Sequence, residues 1–193
     1  MIRIGITGGI GSGKSYISGL LMRMGIPVYD TDSEARRLML EHPDIRQDLI
    51  QLLGDDVYKD GKLNKPVVAQ YLFASAENAA RINSIVHPRV YSDFLRWADH
   101  QTGKPVVGME SAILFEVNFQ TAVHKVLMVS APYALRVERA MKRDGASREK
   151  IEERIRVQMS DEDKIKLADY VVDNDGRGDL QEQLCKIIDQ LKR

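Results

Sequence analysis

The residues with the plainest chemistry lie near the start of the chain. Gly8-Gly9-Ile10-Gly11-Ser12-Gly13-Lys14-Ser15 matches G-x-x-x-x-G-K-[ST]. Glycines let a backbone close on a polyphosphate with its N–H groups turned inward, and a helix starting just after presents its positive end to the anion. Lys14 supplies a mobile cation for the β- and γ-phosphates, and the Ser15 hydroxyl can ligate Mg²⁺. The match follows a β-branched stretch, 2–6, and opens a helical pattern, which is the context the motif requires. No G-x-G-x-x-G fits the same stretch, which disfavours a dinucleotide.

Phosphoryl transfer asks the protein for alignment, charge neutralisation and a destination for the acceptor proton. Asp32 lies just past Ile26-Pro27-Val28-Tyr29, which reads as the second strand, at the sheet edge where the phosphate loop also belongs. A carboxylate there can accept or orient the acceptor hydroxyl's proton. The same residue suits helix capping, with Thr31-x-x-Glu34 as a capping box and Asp32 in the first turn; the two roles are compatible. Asp30 is the alternative base, or a residue acting on Mg²⁺ through water. Glu110, after an apolar run, reads either as a residue that orders a Mg²⁺-bound water or as a solvent-facing strand end. Arg136, Arg139 and Arg143 recur at i, i+3 and i+7 and share a helix face, either on a lid that closes over phosphates or on a solvated surface.

These groups need a scaffold, and the pattern supplies one. Short apolar stretches at 2–6, 26–29, 106–109, 126–129 and 170–172 alternate with helical segments, which predicts an α/β fold with a five-stranded parallel sheet flanked by helices. The helix over 14–24 carries Ile17, Leu20, Leu21 and Met24 on one face, and an amphipathic helix over 179–191 closes the core. Between the second and third strands the chain spends far more than the dozen or so residues a crossover needs. Helical stretches at 33–40, 43–53, 65–74 and 77–100 fill the gap and predict a helical insert at about 33–102, a natural place to hold a substrate. An Arg- and Lys-rich excursion, 132–144 and 147–159, predicts a lid at about 132–160. All of it reads as a single domain over 1–193.

Composition removes other classes. With 28 basic and 28 acidic residues the chain is neutral, which argues against nucleic acid as a partner. The single cysteine, Cys185, excludes an intramolecular disulfide and a cysteine metal cluster. The longest uncharged run, 66–76, is far too short to span a bilayer, and the N-terminus lacks the apolar core of a signal peptide. A soluble, cytoplasmic protein is expected. A GTPase switch fits poorly. Asp175-Gly176-Arg177-Gly178 spells D-x-x-G but almost at the C-terminus, and Asn64-Lys65-Pro66-Val67 misses N-K-x-D at its last position.

A small-molecule kinase fits better, and several segments give it a family. Val28-Tyr29-Asp30-Thr31-Asp32 with Glu34-Ala35-Arg36 resembles the D-A-D-x-x-A-R of dephospho-coenzyme A kinases, and Thr7 with the glycine loop is similar to that family's version. Ile85-Val86-His87-Pro88, Ile113-Leu114-Phe115-Glu116, Arg139, Arg143-Asp144, Arg154, Gln158, Lys164, Ala168-Asp169 and Asn174 follow in order along nearly the whole chain. Tyr16 stands where the family usually has Thr, Ala112 replaces a Pro, and Thr31 replaces the Ala between the two aspartates.

The resemblance implies transfer of the ATP γ-phosphoryl group to the ribose 3′-hydroxyl of dephospho-CoA, giving CoA and ADP, the last step of coenzyme A synthesis. It implies catalytic roles for Lys14, Asp32 and Arg139. It assigns ATP binding to Gly11, Ser12, Gly13, Lys14, Ser15, Tyr16, Arg143 and Asn174, dephospho-CoA binding to Thr7, Asp32 and His87, and Mg²⁺ to Ser15. His87-Pro88 would shape the acceptor pocket, although a His before Pro is more often simply a helix boundary.

Overall fold

The computed structural model describes residues 1–192 of the chain. They divide into two compact units, one of residues 1–30 with 98–192, the other Thr31–Trp97, where the sequence reading places an insert at 33–102.

The first unit is built on a parallel sheet of β1 (Ile2–Thr7), β2 (Val28–Asp30), β5 (Val106–Glu110), β6 (Lys125–Ser130) and β7 (Tyr170–Asp173); the missing numbers belong to the second unit. The strand order is β2-β5-β1-β6-β7, and every pairing is parallel. The pleat sorts β1 by parity. Ile4 and Ile6 enter a cluster with Ile17, Leu20 and Leu21 of α1 (Lys14–Arg23) and with Leu184, Ile187 and Ile188 of α9 (Leu180–Leu191). Gly5 faces Leu114 and Val123 on the opposite side. Asp179 caps α9, accepting from the N–H groups of Gln181 and Glu182 at 2.8 and 3.1 Å.

After β6 the chain forms α6 (Tyr133–Asp144), α7 (Arg148–Arg156) and α8 (Asp161–Leu167). Helix α7 stops at Arg156 and α8 starts afresh, with the Ser160 hydroxyl accepting from Asp163 N at 3.1 Å and three acidic residues in the first turn.

The second unit comprises α2 (Thr31–Glu41), α3 (Pro43–Leu53), a two-stranded ribbon of β3 (Tyr58–Lys59) and β4 (Lys62–Leu63), α4 (Lys65–Ala74) and most of α5 (Ala76–Asp99). Leu38, Ile45, Leu49, Val57, Val86 and Val90 are buried in it. Arg37 joins α2 to Asp93 of α5 at 2.6 Å, and Arg89 of α5 reaches Asp48 of α3 at 2.8 Å. The ribbon is unannounced in the sequence because its strands are two residues long, below any periodicity. His87-Pro88 is no helix boundary: α5 continues through Pro88. Among the described residues no helix is long and apolar enough to cross a membrane.

The two-sided packing of the sheet has a measurable consequence. Leu21 is fully buried between α1, the sheet and α9, so Leu21→Ala should cost about 2–5 kcal/mol in urea unfolding. A loss below about 1 kcal/mol would mean that this face is not a close-packed core.

Candidate active site

In an open parallel sheet, ligands gather outside the carboxyl ends of the strands. Here those ends carry Thr7 and the glycine loop from β1, Asp30 from β2, Glu110 from β5, Ser130 from β6 and Asn174 after β7.

The loop between Thr7 and α1 is held in shape by its own backbone. Ser12 N donates to Gly9 O at 3.1 Å and Tyr16 N to Gly13 O at 3.0 Å. Gly11 and Gly13 have φ of +77° and +95°, a region that side chains other than glycine's rarely occupy. Space forbids a side chain as well: a Cβ at Gly11 would land on the backbone of Arg136, and one at Gly13 on the Asn174 amide. Lys14 Nζ donates to the carbonyls of Gly8 and Gly9 at 2.8 and 3.2 Å, which folds the cation back over the loop. Thr7 is fully buried beneath it, and among the described residues neither its Oγ1 nor the buried Ser12 Oγ has a hydrogen-bond partner.

Ser15 Oγ donates to Glu110 Oε1 at 2.8 Å, and Asp30 lies opposite Glu110 in the β2–β5 register. Glu110 is only 8% exposed, so it is not a solvent-facing strand end. The result is a hydroxyl and two carboxylates from three elements at one edge, hard oxygen ligands of the kind that suit Mg²⁺.

The arginines part company. Arg139 donates to Asn174 O at 3.1 Å and to its Oδ1 at 3.4 Å, while Asn174 Nδ2 donates to Ser12 O at 2.8 Å. The chain Arg139–Asn174–Ser12 thus ties α6 and the β7 exit to the phosphate loop. Arg143 is paired with Asp144, as is Arg154 at 2.7 Å, and these guanidinium groups hold the Asp144 carboxyl down to about 2. Arg139 and Arg143 line a cavity of about 210 Å³ with Gly13, Lys14, Ser15 and Tyr16. A second cavity, of about 330 Å³, lies between Tyr16, Gly13, Arg139 and Asn174. Arg136 is on neither a solvated face nor an open lid surface: it is 5% exposed, paired with Asp161 and bonded to Ile10 O. Its place beside buried Val137 and Ala140 was the available signal, since those positions mark the inward face of α6. The D-x-x-G of residues 175–178 is a turn, with Asp175 Oδ1 accepting from the N–H groups of Arg177 and Gly178.

In the second unit, Asp32 is exposed in the first turn of α2 and His87 is half-buried in α5. Burial lowers the His87 pKa from its ordinary 6.5, and the Asp32 charge partly offsets that.

A five-stranded parallel sheet whose first strand runs into a Walker-type loop, with Lys14 over the loop and a Ser15–Glu110 pair beneath, defines a P-loop kinase. Solved structures share that fold: dephospho-CoA kinase from Campylobacter jejuni (TM-score 0.72, 21% identity, 98% of this chain and 96% of that one) and shikimate kinase from Acinetobacter baumannii (TM-score 0.58, 15%, 99% and 93%). A Thermus thermophilus protein of known structure is more similar, at TM-score 0.84 and 34% identity over 98% of this chain and 96% of that one. The family model for dephospho-CoA kinase matches residues 2–179. The dephospho-CoA kinase of Bacteroides fragilis is 50% identical over 187 residues, 97% of this chain and 91% of its own, and that of Porphyromonas gingivalis 41% over 193 residues, 100% and 95%. The chain belongs to the dephospho-CoA kinase family.

The neutral, partly buried His87 imidazole binds fewer protons folded than unfolded, so stability is full above pH 6.5 and falls as pH drops from there through the lowered folded value. His87→Gln should flatten the stability profile between about pH 7 and pH 5 in denaturant titrations. A profile as steep as wild type would place the proton uptake elsewhere.

Proposed function

We propose that this protein transfers the γ-phosphoryl group of ATP to the ribose 3′-hydroxyl of dephospho-CoA, yielding CoA and ADP. The observation that carries the reading is the loop with Lys14 above it and Ser15 bonded to Glu110, within a chain of this family.

Gly11, Ser12, Gly13 and Lys14 hold the β- and γ-phosphates; Thr7, 0% exposed beneath the loop, is closed off from the dephospho-CoA contact the resemblance implies for it. Arg139 stabilises charge that develops in transfer. Tyr16, Arg143 and Asn174 border the rest of the nucleotide. Ser15, Glu110 and Asp30 would hold Mg²⁺, which would supply charge neutralisation at the phosphates. In the insert, Asp32 accepts the proton of the attacking hydroxyl, and His87, kept neutral by burial at pH 7, offers the acceptor a hydrogen bond without adding charge. The exposure of Asp32 on the first turn of α2, two residues past Asp30 at the strand end, supports its choice as base.

Two outcomes test this. In a coupled assay, ADP release should depend on dephospho-CoA and stay at background with adenosine or shikimate; turnover of shikimate alone would overturn the acceptor. Asp32→Asn should lower kcat by roughly 10²–10⁴ with ATP affinity nearly unchanged. A normal Asp32→Asn beside an inactive Asp30→Asn would move the base to Asp30.

A further inference from the structure

Both backbone groups of Ile10 are held from outside the phosphate loop. Its N–H donates to Gln158 Oε1 at 3.1 Å, and its carbonyl accepts from Arg136 Nε at 3.0 Å. Arg136 also pairs with Asp161, so one guanidinium serves a loop carbonyl and a carboxylate together. A Cβ at Gly9 would fall on that guanidinium, so the loop lies directly against it.

Gln158 and Asp161 flank the start of α8, and the same short stretch grips a second loop. Glu116 Oε1 accepts from Met159 N and from Lys164 Nζ, both at 2.9 Å. Lys164, 0% exposed, also donates to Ala112 O at 2.6 Å. Ala112 and Glu116 belong to the segment that leaves β5 directly after Glu110, the partner of Ser15.

We propose that residues 158–164 are a brace that sets the phosphate loop against the β5 exit, and that Arg136 and Gln158 are positioning residues for ATP through Ile10. The inference rests on the reading that this loop holds ATP. Packing alone does not account for the pair. A buried ion pair is a poor source of stability, and apolar residues of like volume often replace one without loss. What the guanidinium adds is direction: its fixed fork of donors can satisfy Asp161 and Ile10 O at once, which a lysine ammonium does not reproduce. Phosphate binding by backbone N–H groups depends on such direction, because a small displacement of the loop turns its donors off the anion.

The test is equilibrium titration of ATP without acceptor, alongside thermal unfolding. Gln158→Ala should lower the melting temperature by only about 2–4 °C, the effect of one lost hydrogen bond in a chain of this size, and weaken ATP binding about fivefold. Arg136→Met with Asp161→Leu should unfold near the wild-type temperature yet bind ATP about tenfold more weakly or worse. Dephospho-CoA affinity should be unchanged in both. An unchanged ATP affinity in Gln158→Ala, or equal losses for ATP and dephospho-CoA, would overturn the brace, and Gln158→Ala decides alone if the double variant does not fold. Because ATP binding is titrated without acceptor, a wild-type protein that ignores dephospho-CoA would overturn the proposed reaction, and the ATP affinity of Gln158→Ala would still decide the brace.

Discussion

A polyphosphate concentrates negative charge on a chain of small groups, and backbone N–H donors reach it only where no side chain intervenes. That requirement sets the form of residues 8–13. Gly11 and Gly13 sit at φ values beyond the ordinary range of L-residues, and the space a Cβ would take is already filled by Arg136 and Asn174. The loop is shaped from both sides, from within by glycine and from without by α6 and the β7 exit. Sheet order follows the same need: β1, which delivers the loop, lies at the centre between β5, which delivers Glu110, and β6.

Charge is distributed in keeping with this. Lys14 is held by the carbonyls of Gly8 and Gly9, and Arg139 by Asn174. Cations held in advance lose less freedom when an anion arrives and need little reorganisation. Arg143 differs, since it is paired with Asp144 at the exposed end of α6. In the other unit Asp32 and His87, which we propose act on the acceptor, sit on a helical scaffold whose ion pairs, Arg37–Asp93 and Arg89–Asp48, cross-link α5 to α2 and α3.

The sheet was legible in the sequence because its strands are short, apolar and β-branched between helical periods, as in Val106–Glu110. The phosphate loop was legible because its chemistry demands particular residues at particular spacing. Arg136 was not, because i, i+3, i+7 spacing puts it on one face with Arg139 and Arg143, while the groups that bury it, Ile10 and Asp161, lie far from it in the sequence. The Lys164–Glu116 and Arg136–Asp161 pairs join residues 48 and 25 positions apart, contacts that no local pattern in one chain encodes. The break between α7 and α8 was written in Ser160-Asp161-Glu162-Asp163, a capping signal that follows the uncharged Val157-Gln158-Met159.

The loop receives phosphate because nothing but backbone occupies its inner turns. Gly11→Ala puts one methyl group on the Arg136 backbone at a φ of +77° and changes no charge. ATP titration of that variant, with thermal unfolding to confirm the fold, should show affinity lowered by about tenfold or more. A folded Gly11→Ala protein that binds ATP as tightly as wild type would show that these turns tolerate a side chain.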